Sequence, residues 1–216
     1  MNRLAIFDCD GTLADGAGNI CRAMVDCFAD AGLPQPGDAA TRRIVGLSLP
    51  EAMRVLHPAG AEADHHALAE RYKRVFQRLR AGGMTPDPLY PDIAAVLDGL
   101  EQAGWLLGVA TGKSDRGLAL CLDHHGLGRR FVTLQTADRH PSKPHPSMIE
   151  TAMAEAGATP ATTAMIGDTS FDMAMAKAAG ARAVGVAWGY HDAHDLVRGG
   201  AQAVATRTAA LLDILA

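Results

Sequence analysis

Leu4-Ala5-Ile6-Phe7 is an unbroken apolar strand pattern that runs straight into Asp8-Cys9-Asp10-Gly11-Thr12-Leu13. No second strand pattern follows until Trp105-Leu106-Leu107-Gly108-Val109-Ala110. A lone strand leaves its backbone donors and acceptors unpaired. The strand over 3–7 must therefore join a sheet built from residues beyond 104. A continuous apolar run is the pattern of a parallel strand covered on both faces, and such sheets bind ligands at the carboxyl ends of their strands. Asp8 and Asp10 thus stand where that architecture puts its chemistry. The plain alternative is a strand exit with solvated acids, and the rest of the chain decides between the two.

From residue 92 onward, helix and strand patterns alternate. Helices over 93–103, 115–125, 146–156 and 171–179 lead to strands over 105–110, 131–135, 163–166 and 182–187, and a last helix closes the chain near 206–215. Strands alternating with helices predict a parallel sheet with right-handed crossovers. The fold class is therefore α/β, a Rossmann-like parallel sheet with helices on both faces.

Residues 16–84 contain helical patterns and no strand. Gly16 and Gly18 suit a hinge. Ile20, Met24, Cys27, Phe28 and Ala31 recur at helical spacing, and Gly32 and Pro34 end that helix. Two short helices fill 38–57, broken at Gly46-Leu47-Ser48, and a longer amphipathic helix spans 61–81. Its charged residues Arg71, Lys73, Arg74, Arg78 and Arg80 read as a solvated face. Gly82-Gly83 and Pro86, Pro88 and Pro91 form a connector. The expected division is a core domain of residues 1–15 and 85–216 carrying an inserted helical domain of residues 16–84.

Composition narrows the function classes. With 20 basic and 24 acidic residues the net charge is −4, which gives no footprint for nucleic acid. No apolar run approaches the roughly 20 residues of a membrane span. Cys9, Cys21, Cys27 and Cys121 are scattered without a CxxC pair and read as reduced thiols of a cytoplasmic protein. His65-His66 and His124-His125 read as helix-surface residues. The chain is expected to act as a monomer or homodimer, without nucleic acid or membrane.

Four strand ends carry polar groups: Asp8-Cys9-Asp10-Gly11-Thr12, Thr111-Gly112-Lys113-Ser114, the Ser142-Lys143-Pro144-His145-Pro146 loop, and Gly167-Asp168-Thr169-Ser170 with Asp172. In a parallel sheet these ends share one edge. Phosphoryl transfer to a carboxylate needs cations to shield the repulsion between two anions. Mg²⁺ binds a few carboxylates together with substrate phosphate, and Asp8, Asp168 and the Asp10 carbonyl could hold it. Lys143 adds positive charge, Thr111 a hydroxyl, and the glycine-containing loops backbone N–H groups. One aspartate can then act as a covalent nucleophile. Asp10 is spaced to protonate the leaving alkoxide and later to activate water.

These four motifs, in this order, resemble the haloacid dehalogenase (HAD) superfamily, whose hallmark is DxDxT, then Ser/Thr, then Lys, then GDxxxD. The resemblance implies a nucleophile at Asp8, an acid/base at Asp10, and Mg²⁺ on Asp8, Asp10 (carbonyl) and Asp168, with Asp172 as an additional metal-site acid. It implies phosphate positioning by Thr111 and Lys143, with Thr12 and Gly112 also at the substrate. The insert resembles a C1-type cap, from which Arg43 and Ser48 are candidate substrate contacts. The phrases at 7–13, 142–146 and 167–173 look most like the phosphoglycolate phosphatase branch. The expected activity is Mg²⁺-dependent hydrolysis of a small phosphorylated metabolite, with phosphoglycolate as the leading substrate.

Rival readings follow from the same residues. A β-phosphoglucomutase-like phosphomutase would be decided by cap residues, for which Arg42, Arg43, Ser48 and Arg54 are candidates. A phosphonatase would need a cap lysine, and Lys73 is the only one. A non-catalytic phospho-ligand-binding protein would not need Asp10 and Asp168 together. Asp10 also argues against dehalogenation, which has no alkoxide to protonate. His140 and His145 read as loop residues. Trp188 reads equally as a rim or a packing residue.

Overall fold

Successive side chains of a strand face opposite sides of the sheet, and β1 (Asn2–Phe7) is used on both. Leu4 and Ile6 enter one apolar cluster, while Ala5 and Phe7 enter another. The computed structural model describes residues 1–216 and places β1 inside a six-stranded sheet. On one side β1 pairs in parallel with β2 (Trp105–Thr111), which in turn pairs with β3 (Phe131–Thr136). On the other side come β4 (Ala158–Gly167), β5 (Arg182–Val186) and β6 (Ala203–Ala205), all parallel. The order 3-2-1-4-5-6 reverses its direction of growth between β1 and β4. That switch point is where an open α/β sheet forms a ligand crevice.

Helices cover both faces, as the alternating pattern predicts. The α5 (Ile93–Gln102), α6 (Asp115–His124) and α10 (Ala210–Ile214) helices bury Leu97, Leu118 and Leu211 in the cluster that holds Phe7. On the opposite face α7 (Ser147–Ala156), α8 (Ser170–Ala178) and α9 (Ala193–Gly199) bury Ile149, Met173 and Leu196 with Ile6.

Between β1 and α5 the chain forms α1 (Ala17–Asp30), α2 (Asp38–Arg42), α3 (Leu49–Leu56) and α4 (Glu62–Ala81). These helices close on an apolar cluster of their own, which includes Met24, Phe28, Met53, Leu68 and Tyr72. The insert sits on the sheet edge through backbone. A Cβ at Gly112 would lie 2.6 Å from the Leu47 carbonyl oxygen and 2.7 Å from that of Gly46. Only glycine permits this approach.

The structure departs from the sequence expectations where local signals are weak. β4 starts at Ala158 rather than 163, because its first half (Ala-Thr-Pro-Ala-Thr) is polar and partly exposed. The seven-residue α9 and the three-residue β6 are not predicted; both are too short to show a period. The last helix is confined to 210–214. His65 is not a surface residue: it is buried, with its Nε2 2.9 Å from the His57 carbonyl oxygen. No helix is long and apolar enough to cross a membrane.

Candidate active site

Asp8 follows β1 directly and is tied to the neighbouring strand by its N–H, which donates to the Ile166 carbonyl (2.9 Å). Its Oδ1 accepts the Cys9 N–H at 2.6 Å. Its Oδ2 lies 2.9 Å from Lys143 Nζ, yet outside hydrogen-bond alignment, and has no other partner. A buried carboxylate oxygen without an aligned donor is costly. Burial pushes the Asp8 carboxyl up to about 7; Lys143 opposes the shift and Asp172 adds to it.

Lys143 is fully buried and reaches Asp8 and Asp172, with its Nζ donating to Asp172 Oδ1 at 2.6 Å. Burial works against its ammonium, but Asp172 and then Asp8 outweigh that and raise its pKa. The other oxygen of Asp172 accepts the Thr169 N–H (3.1 Å) and Thr169 hydroxyl (2.7 Å). These contacts cap α8 with a reciprocal Thr169–Asp172 box. Both Asp172 oxygens are thus engaged, which suits an anchor for Lys143 better than a direct metal ligand.

Asp168 follows β4. Its Oδ1 accepts the Thr12 hydroxyl (2.9 Å) and its Oδ2 the Tyr190 N–H (2.9 Å). Burial, then Asp8 and Asp172, hold its carboxyl well above the ordinary carboxylate range. Thr12, a candidate substrate contact from sequence, instead spends its hydroxyl on orienting Asp168. Its carbonyl accepts the Trp188 indole N–H at 3.2 Å. Trp188 also stacks near Tyr90 (6.3 Å between ring centroids) and is therefore a packing residue.

Asp10 lies on the wall of a cavity of about 310 Å³ between the sheet edge and the helical insert, as do Asp8, Thr111 and Gly112. The Thr111 hydroxyl accepts the Lys113 N–H at 3.3 Å. Lys113 lies 2.8 Å from Asp10 Oδ1. Burial opposes its charge, but Asp10 and then Cys9 raise its pKa. Lys113 is a site residue that the motif spacing does not single out. Its one signal in the sequence is position: it follows the strand-end hydroxyl on the same short loop. Gly16, expected at a hinge, also has a steric role: a Cβ there would come within 2.6 Å of Asp10 Oδ1. The glycine leaves room for the acid. Cys9, between the two acids, turns away and packs its sulfur 3.8 Å from that of Cys121.

The candidate cap contacts do not reach the cavity. Arg43 is exposed and pairs with Asp195 of α9 at 3.3 Å. Ser48 donates its backbone N–H to the Ser142 hydroxyl at 2.8 Å. Neither side chain lines the cavity, and neither do Arg42 and Arg54, the latter paired with Glu51. The charged face of α4 is only partly a solvated surface, because Lys73 and Arg80 stand on the cavity rim. His140 is held between Ser147 and Gln135 in the loop before Lys143.

Charge counting tests whether a cation fits. Asp8, Asp10, Asp168 and Asp172 are buried and face two ammonium groups, those of Lys113 and Lys143. Oxygens of Asp8, Asp168 and Asp172 lie within 4.8 Å of one another, and the Asp10 carbonyl accepts no hydrogen bond. Buried anionic excess, oxygen donors only and an unaligned Asp8 oxygen suit a hard divalent cation.

Residues 5–186 match the family model described as haloacid dehalogenase-like hydrolase. A protein named probable phosphatase IndB from Dickeya dadantii (strain 3937) is 36% identical over 198 residues, covering 91% of this chain and 86% of that protein. A phosphoglycolate phosphatase from Pseudomonas syringae pv. syringae (strain B728a) is 32% identical over 196 residues, covering 88% and 71%. The crystal structure of a predicted phosphatase from Clostridium acetobutylicum superposes with a TM-score of 0.89 at 23% identity, covering 100% of this chain and 98% of that one. A model match across most of the chain, with these relatives beside it, shows that the chain belongs to the haloacid dehalogenase-like hydrolase family.

Proposed function

We propose that the chain is a Mg²⁺-dependent phosphatase of small phosphorylated metabolites, working through an aspartyl-phosphate on Asp8. One observation carries this reading. Asp8 is a buried carboxylate at the switch point, reachable from the cavity, with a lysine beside one oxygen and a second acid, Asp10, on the same wall. Asp8 and Asp168, with the Asp10 carbonyl, would hold the cation. When bound, the cation supplies positive charge that lets a carboxylate approach a phosphate dianion.

The chain's own groups account for the rest. An Asp8 carboxylate oxygen attacks phosphorus, the bond from phosphorus to the ester oxygen breaks, and that oxygen takes the proton of Asp10. Water then attacks the phosphorus of the acyl phosphate and gives one proton to Asp10, as the bond from phosphorus to the Asp8 oxygen breaks. Phosphate leaves and both acids return to their starting state. Lys143 balances charge at Asp8, Asp172 positions Lys143, and the Thr111 hydroxyl is available to the phosphoryl oxygens. Lys113 holds Asp10 toward the ester oxygen. Residues 16–84 serve as the cap, excluding water from the acyl phosphate as a lid does.

Phosphoglycolate, named for the Pseudomonas relative, is the first natural substrate to try. The test of the reaction class is release of phosphate from p-nitrophenyl phosphate by the purified chain. Release that needs Mg²⁺ and stops with chelator is expected. No release by a folded, Mg²⁺-supplied chain would favour a binding protein on the same fold. Placing the chain in the cytoplasm, as monomer or homodimer, completes the proposal; its scattered thiols support the compartment, since none forms a disulfide.

A further inference from the structure

The shape of the site bears on the leaving group. On the insert's side the cavity wall is mostly apolar: Ile20 and Met24 come from α1, Leu49 from α3, and Tyr72 and Phe76 from α4, which also brings Lys73, Gln77 and Arg80. The two rings lie 5.8 Å apart between centroids, tilted by 43°. Four cations border the same cavity, but none is free at its apolar side. Lys113 is committed to Asp10 and Lys73 to Glu70 (2.7 Å), Arg80 is exposed with its guanidinium 5.3 Å over the Phe76 ring, and Arg116 is exposed. Arg43 and Ser48, the expected polar readers, are off the wall.

A two-carbon acid adds almost no apolar surface to this wall, and the cations around it are already paired, stacked or exposed. Burying a charge against apolar groups without a partner is unfavourable. A volume of about 310 Å³ also exceeds what a phosphate and two carbons fill, and it lies at the low end of pockets that enclose ring-sized ligands. Tyr72 lines the cavity and its hydroxyl makes no hydrogen bond within the protein, so it is free to donate to one polar atom of an otherwise apolar ligand.

Resting on the phosphatase reading, we infer that this site takes phosphomonoesters whose leaving group is an apolar, ring-sized alcohol, in preference to phosphoglycolate. The test compares 2-phenylethyl phosphate, ethyl phosphate and phosphoglycolate. Their ester oxygens are chemically alike, so differences in kcat/KM report the cavity. The phenylethyl ester should exceed the other two by about tenfold or more, as apolar pocket contacts of this size allow. Phe76→Ala should bring the phenylethyl-to-ethyl ratio down toward one, chiefly through KM, and Phe76→Leu should keep most of it. Equal rates, or a preference for phosphoglycolate, while p-nitrophenyl phosphate is still hydrolysed, would overturn this inference and leave the phosphatase reading standing. Failure to release phosphate from any ester would overturn both.

Discussion

The sheet edge and the helical insert meet at one cavity but are specified in different ways. At the edge, function is a matter of charge. Three of the four buried acids pair with two lysines at 2.6–2.9 Å, and threonine hydroxyls fix Asp168 and Asp172. The residue types name the chemistry, because few other uses justify burying them. In the insert, the proposed role is a matter of shape. Ile20, Met24, Tyr72 and Phe76 form the wall, and in sequence they are indistinguishable from the residues that pack the insert on itself. Breaking the edge should abolish the reaction, whereas altering the wall should change only which molecule undergoes it.

The largest expected effect comes from the proposed nucleophile. Asp8→Asn should lower kcat by about 10⁴-fold or more, in the range seen when a covalent catalyst is removed, with the fold unchanged by circular dichroism. Turnover within tenfold of the parent would contradict the assignment.

Lys143 tests whether the edge is held by charge. Replacing it with methionine leaves Asp8 and Asp172 buried without their ammonium. Breaking such a buried pair costs roughly 3–5 kcal/mol. Urea unfolding of metal-free Lys143→Met should show that loss, and a stability equal to the parent would mean the pair is incidental.

Burial of Asp8, with Asp172 beside it, predicts a pH dependence. The folded-state pKa of Asp8 is raised to about 7, above its value in the unfolded chain. The native state then holds a proton that the unfolded state has lost, so metal-free stability falls as pH rises, and the contribution is gone above about 7. Mg²⁺ competes with that proton, so the thermal shift on adding Mg²⁺ should be larger at pH 8 than at pH 5. A shift independent of pH would separate Asp8 from the cation.

The smallest effect is expected in the insert. Arg43→Ala should leave kcat/KM nearly unchanged and cost under about 1 kcal/mol, since its pair with Asp195 is exposed. A tenfold fall would return Arg43 to the substrate contacts.

The same contrast governs what could be read in advance. The α/β sheet was legible because Leu4–Phe7 and Trp105–Ala110 are apolar runs that only a covered parallel strand explains. The short α9 and β6 carry no period and were missed. Asp8, Asp10, Thr111, Lys143, Asp168 and Asp172 were legible as a set, because each follows a strand. Lys113 was passed over because its role depends on a partner, Asp10, distant in sequence. Arg43 and Ser48 were chosen as polar groups in the insert. Their distance from the cavity follows from how α2 and α3 pack, which no spacing announces.

The central claim is that the phosphoryl group passes through Asp8. Acid quenching within the first turnover, followed by proteolysis and mass spectrometry, tests it directly. A phosphorylated peptide carrying Asp8-Cys9-Asp10, with the group on Asp8 and absent from Asp8→Asn, is predicted. Full turnover with the phosphoryl group found on another residue, or on none while burst kinetics show that an intermediate accumulates, would contradict the account.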